Sequence, residues 1–119
     1  MDSIISDADL RAIELAANQN KNHFHFFQKI FRKKKVVKNQ DMPGHTVRLN
    51  SLVLVWHSIL KKVVKIRIVL PKEEDMKLKN ISVFAPISLA LFGRRVNDSI
   101  HLRLPGIKKE LRIIKVISK

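Results

Sequence analysis

The spacing of apolar residues along the chain changes once, near residue 43, and the change divides the sequence in two. In the first part, apolar residues recur at helical intervals: Leu10, Ile13 and Ala17, then Phe24, Phe27 and Phe31. Intervals of three and four place such residues on one face of an α-helix. Ser6 is a suitable N-cap with Asp9 three residues on, so the spacing predicts a helix from about Asp7 to Gln19. The polar cluster Asn18-Gln19-Asn20-Lys21-Asn22 reads as a connection, and a second helix is predicted to end near Val36. Helices this short cannot each bury an apolar stripe alone, so a short antiparallel hairpin, separable from the rest, is the simplest arrangement.

After the turn-rich stretch Asn39 to Gly44 the period becomes two. Val47 and Leu49 alternate with Thr46 and Arg48, and Val53 and Val55 continue on the other face; Val64, Ile66 and Ile68 alternate with Lys65 and Arg67. Ile100, Leu102 and Leu104 alternate with His101 and Arg103, and Leu111 to Ile117 forms a last strand. Pro71-Lys72-Glu73-Glu74-Asp75 breaks the series as a charged loop. Ile81 to Gly93 switches from strand to helix within one run. Pro86 lacks an N–H and suits the first turn of a helix, and Gly93 suits its end. The pattern predicts an α+β fold: an antiparallel sheet with one short helix, preceded by a short N-terminal antiparallel helical hairpin, with residues 1–42 and 43–119 as its two units.

Charge changes this picture more than composition does. The 119 residues are 45% hydrophobic, enough for one core, but 24 Lys and Arg face only 10 Asp and Glu, a net +14. From residue 43 onward there are 16 basic and 5 acidic residues, so most of the positive field belongs to the predicted sheet unit. Such a chain is drawn to acidic surfaces, whether nucleic acid, anionic lipid or protein. The absence of cysteine excludes disulfides and thiolate chemistry. Met1 to Asp7 lacks the basic end and apolar core of a secretory signal, and Ile81 to Gly93 is too short to cross a bilayer, so a cytoplasmic protein without membrane contact is expected.

The sequence offers little chemistry. His23 and His25 are two positions apart, about 200° on a helix, with no cysteine to complete a ligand set. His45, His57 and His101 stand on separate predicted strands without a nucleophile or carboxylate partner. Glu73, Glu74 and Asp75 are surrounded by Lys72, Lys77 and Lys79. No catalytic residue, metal site or cofactor is therefore expected. Two surface candidates are left. One is the corner Phe84-Ala85-Pro86 with Ile87, Arg94 and Arg95, where an exposed apolar residue beside a proline would mark a partner site. The other is the basic run Arg32, Lys33, Lys34 and Lys35, suited to nucleic acid or an acidic protein rim.

The order and spacing of several short pieces resemble a known family. These are Asp41-Met42-Pro43 with Val47 and Leu49-Asn50-Ser51, then Ile81-Ser82-Val83-Phe84-Ala85-Pro86 and Ala90-Leu91-Phe92-Gly93, then Val96-Asn97-Asp98-Ser99-Ile100 and Leu104-Pro105-Gly106. Over about residues 41 to 119 they resemble the C-terminal domain of the bacterial Gre transcript-cleavage factors, and more closely its relative Rnk, the regulator of nucleoside diphosphate kinase. The resemblance implies an FKBP-like domain that docks on RNA polymerase at the mouth of its secondary channel, with a helical hairpin pointing inward. In the cleavage factors, acidic residues at the hairpin tip help hold a catalytic Mg²⁺, since carboxylates suit a hard cation. Here the expected tip, Asn18 to Asn22, has no carboxylate, and Asp7, Asp9 and Glu14 lie back along the first helix. At the docking stretch the cleavage factors carry an acidic or amide residue, Ser and Pro, where this chain has Phe84-Ala85-Pro86.

The expectation is thus a non-enzymatic transcription regulator that binds RNA polymerase without stimulating cleavage. The alternative is a basic nucleic-acid-binding module that grips phosphates through Lys65, Arg67 and Arg103, a second partner class that the +14 charge favours. Prolyl isomerase activity follows only from the FKBP-like resemblance, and Trp56, Phe84 and Phe92 are too few to line its pocket.

Overall fold

Ser6 begins the fold as the sequence suggests: its hydroxyl accepts the Asp9 N–H at 3.0 Å and caps α1 (Asp7–Ala17). The structure, a computed structural model, describes residues 3–104 and 106–118, with the side chains at 103, 104 and 107 outside that description. A three-residue strand, β1 (Ile4–Ser6), leads into α1, and Asn20 then caps α2 (Lys21–Phe26) by accepting the N–H groups of Asn22 and His23.

The second helix ends earlier than its period suggests. α2 runs into a wide π turn, Phe27–Phe31, in which the Arg32 N–H donates to the Phe27 carbonyl five residues back at 2.9 Å. The chain then enters a strand, β2 (Lys35–Val37), that pairs in parallel with β1. Val36 and Val37 favour extended backbone, and β1 offers an edge to pair with, which together override the helical spacing.

The main sheet has five strands: β3 (Leu52–His57), β4 (Lys62–Val69), β5 (Asn80–Ser82), β6 (Ser99–Leu104) and β7 (Ile107–Ile117), in the order β5-β4-β3-β7-β6. The helix α3 (Pro86–Leu91) starts at Pro86 as the sequence predicts. Within the predicted Leu104-Pro105-Gly106 turn, Pro105 lies outside the described residues.

Two features differ from the expected antiparallel sheet. β5 pairs with β4 in parallel, because the segment from Leu70 to Lys79 carries the chain back along β4 before β5 begins. The alternating run from His45 to Leu49 forms no strand. His45 and Asn50 have positive φ (61° and 71°), which bends the chain at both ends of the run and leaves a single bridge, Thr46 to Arg95. Val47 is nevertheless fully buried, and its N–H and carbonyl pair with Arg94 and Gly93.

The helices form no separable appendage. One buried cluster joins Ile5, Ile13, Ala17, Phe27 and Phe31 of the N-terminal part to Val53, Val55, Ile68, Val83, Phe84, Leu91, Phe92 and Ile113 of the sheet part. Phe31 meets Phe84 and Phe92 edge-on at 5.8 and 5.3 Å. Alternate strand residues face this core. The opposite face of the sheet, which carries Leu54, Trp56, Val63, Lys65, Glu110, Arg112 and Lys115, is half-buried or exposed.

Gly93 lies where the backbones of the two parts approach closely. Its φ is +82°, and a Cβ built there would lie 2.5 Å from the Ile4 carbonyl oxygen and 3.1 Å from the Ile4 nitrogen. We expect Gly93→Ala to destabilise the protein by about 2 kcal/mol or more, combining the left-handed backbone with a clash against β1. A urea unfolding midpoint close to that of the parent would contradict this close approach.

Candidate functional site

The corner between β5 and α3 is pinned by its own backbone. The Val83 N–H donates to Val69 at 2.7 Å, the Phe84 N–H to the Ser82 hydroxyl at 3.1 Å, and the Ala85 N–H to the Ser82 carbonyl at 3.0 Å. The expectation that Phe84 is an exposed apolar residue does not hold. It is only 5% exposed, with its edge against Phe31 and its face stacked on His23 at 4.4 Å and 10° between planes. Helical spacing puts His23, Phe27 and Phe31 on one stripe, and that stripe covers Phe84. What the corner shows to solvent is Pro86, which is exposed, with Ala85 and Ile87 half-buried beside it. Arg94 is half-buried and Arg95 exposed on the turn after α3, which the Asp98 carboxylate ties down by accepting the Arg95 N–H at 2.9 Å.

The basic run is split by the end of the helix. Arg32 lies over the Phe27 ring, 5.6 Å from its centroid, and pairs with Glu14 at 3.5 Å, both largely in solvent. Lys33 and Lys35 are exposed. Lys34 turns inward, donates to the Ser3 hydroxyl at 2.7 Å and lies 5.9 Å from the Phe31 ring centroid. Burial, and then the like charge of Arg94, pull its pKa down to about 8. The fold thus links the two surface candidates, bringing Lys34 of the basic run into the field of Arg94 at the corner.

Each of the three carboxylates of α1 has a partner. Asp7 accepts the Asn39 N–H at 3.0 Å, and Glu14 takes Arg32. Asp9 accepts the Leu49 N–H at 3.1 Å and faces Arg48 at 3.7 Å. Its pKa is raised by burial, against the pull of the Leu49 N–H and Arg48. Arg48 also bonds to Asn39, so Asp9 and Arg48 tie α1 to the segment before β3. Among the described residues no three His, Asp or Glu side chains cluster to hold a metal ion. No helix there is long and apolar enough to cross a membrane.

Residues 42–118 match the family described as transcription elongation factor, GreA/GreB, C-terminal. The chain belongs to this family. Its likeness to the GreA transcription elongation factor of Sinorhizobium medicae is 26% identity over 110 residues, covering 92% of this chain and 70% of the relative. With the GreA of Rhodospirillum rubrum it shares 35% identity over 81 residues, 68% of this chain and 52% of that one. A solved prokaryotic transcription elongation factor GreA/GreB from Nitrosomonas europaea superposes with a TM-score of 0.78 at 24% identity, covering 99% of both chains. That likeness shows the fold alone, and its coverage includes the N-terminal helices.

Sequence reasoning missed the stacking of His23 on Phe84, although the shared stripe of His23, Phe27 and Phe31 was a signal for it. The tether from Asp9 to Leu49 and Arg48 spans some forty positions and has no local signature.

The position of Lys34 has a consequence for stability. Its pKa is about 8 in the folded protein against 10.5 for a free lysine, so the folded state disfavours the charge. Below pH 8 the penalty is fully present. Between about 8 and 10.5 the unfolded chain binds more protons, and stability rises with pH. Lys34→Met is expected to be more stable than the parent at pH 7 and to flatten this rise. Urea midpoints of both proteins at neutral and alkaline pH measure it, and parallel curves would show that Lys34 is not the group responsible.

Proposed function

We propose that the chain is a non-enzymatic regulator of transcription that docks on RNA polymerase near its secondary channel and does not stimulate transcript cleavage. The family match over residues 42–118 carries the first half of this reading. The docking surface is the corner Ala85-Pro86-Ile87 with the cations Arg94 and Arg95, backed from beneath by Phe84. Pro86 and Arg95 are its outermost groups, and Lys33, Lys34 and Lys35 extend its positive edge toward an acidic polymerase rim.

The second half rests on the carboxylates. The connection Asn18–Asn20 between α1 and α2 carries amides only, and Asp7, Asp9 and Glu14 are engaged by Asn39, by Leu49 with Arg48, and by Arg32. A factor delivering Mg²⁺ to a polymerase active centre needs free carboxylates at its leading end. These features favour an Rnk-like occupant of the polymerase.

Sedimentation of the protein with core RNA polymerase tests the docking. We expect co-migration, weakened about tenfold by Arg94→Glu with Arg95→Glu, since a reversed pair of interface charges opposes an acidic partner. Addition to backtracked elongation complexes is expected to release no additional cleaved transcript. Failure to co-migrate removes the docking reading, and stimulated cleavage removes the non-enzymatic one.

A further inference from the structure

We infer that the outer face of the five-stranded sheet is a platform for single-stranded nucleic acid, on which Trp56 stacks against a base and Lys65, Arg112 and Lys115 take the flanking phosphates. Trp56 lies on β3, the central strand, on the face away from the core, and is 38% exposed. The strand register places Val63 of β4 directly beside it on one side and Arg112 of β7 on the other. Two positions along β3, Leu54 lies between Lys65 of β4 and Lys115 of β7. The result is an apolar ribbon along β3, widened onto β4 by Val63 beside Trp56, with Arg112 and Lys115 along its β7 side and Lys65 on its β4 side, all three exposed.

Three physical points select the occupant. A single strand offers alternating apolar base faces and phosphates, which is the pattern of this ribbon and its borders. A duplex keeps its bases stacked on one another, so the indole of Trp56 can reach only an unpaired base. The long-range field is that of a chain with 24 basic and 10 acidic residues, which gathers polyanions. This surface is distinct from the polymerase corner, because α3 packs on the core face of the sheet. The inference therefore concerns the free protein and does not rest on polymerase docking.

Trp56 is the only tryptophan in the chain, so its fluorescence reports directly on the site. The experiment titrates the full chain with oligo(U), oligo(dT) and a mixed-sequence duplex of about twelve nucleotides per strand at low salt, following fluorescence and anisotropy of labelled strands. Both single strands are expected to quench Trp56; a tighter fit for oligo(U) would identify RNA as the preferred source. Trp56→Ala should weaken single-strand binding about tenfold, within the range for one stacked base, and leave duplex binding unchanged. Trp56→Phe should retain most of the affinity. Lys65→Glu with Lys115→Glu should weaken binding and lower the slope of log Kd against log salt by about 0.7 for each phosphate no longer neutralised.

Binding without quenching would overturn the inference. So would single-strand affinity that Trp56→Ala leaves intact while the duplex binds equally well, which would assign the affinity to the charge alone. Sedimentation of the free protein as a dimer that shields Trp56 would also overturn it. If circular dichroism shows that Trp56→Ala does not fold, the charge variant decides, and an unchanged single-strand affinity there rejects the platform.

Discussion

The fold depends on Phe31. It stands at the end of the π turn, fully buried, with its ring edge-on to Phe84 on one side of α3 and to Phe92 on the other. A buried phenylalanine contributes about 3–5 kcal/mol by the cost of its truncation, a large share of the roughly 5–15 kcal/mol that separates folded from unfolded domains. This one side chain therefore fixes both ends of α3 against the N-terminal helices. The π turn ends at this residue, and the chain leaves the helix directly after it for β2. Gly93 complements this packing, since only a residue without a Cβ lets β1 lie against the turn that follows α3.

This packing decides what the corner offers to a partner. An aromatic at a strand-to-helix corner reads from the sequence as an exposed hook, but here His23 takes its face and Phe31 its edge. The corner retains a rigid proline backed by a filled core, together with a rim of cations whose charges repel one another. Lys34, whose pKa is lowered first by burial, is lowered further by the like charge of Arg94. A partner that brings carboxylates to this rim relieves that repulsion. Were the corner to dock such a partner, its affinity would be set more by charge than by the area of Pro86 and Ile87.

Much of the fold was legible because it is written in local patterns. The Ser6 cap, the Asp7 start of α1, the Pro86 start of α3 and the alternations of β3, β4, β6 and β7 each depend on neighbours within a few positions. The failures came where long-range pairing decided the outcome. Lys35 to Val37 joins β1 only because β1 is there to receive it, and β5 runs parallel to β4 because of the path of the chain between them. The run from His45 to Leu49 has a strand-like alternation, but positive φ at His45 and Asn50 turns it into a bent segment. The site was legible in composition and less so in exposure: the sequence marks Phe84 but cannot say that a histidine some sixty positions earlier covers it.

The two sides of the sheet have been used differently. On the core side the strands contribute Val53, Val55, Ile66, Ile68 and Ile113, so every cation is excluded and the helices can pack. The outer side then has to carry the charge of those same strands: the two-residue period exposes Lys65 and Arg112 there, and the register shift in β7 opposite Leu54 and Val55 brings Lys115 to the same face. Charge repulsion along such a face would be relieved by interspersed carboxylates if solubility were its only task, yet among its described residues Glu110 is the one acid. Trp56 and Val63 are also more apolar than a solvated face requires. A surface that keeps both an unneutralised field and an open indole on a central strand has the composition of a binding face. Because α3 and its corner lie on the other side of the sheet, occupying one surface leaves the other free.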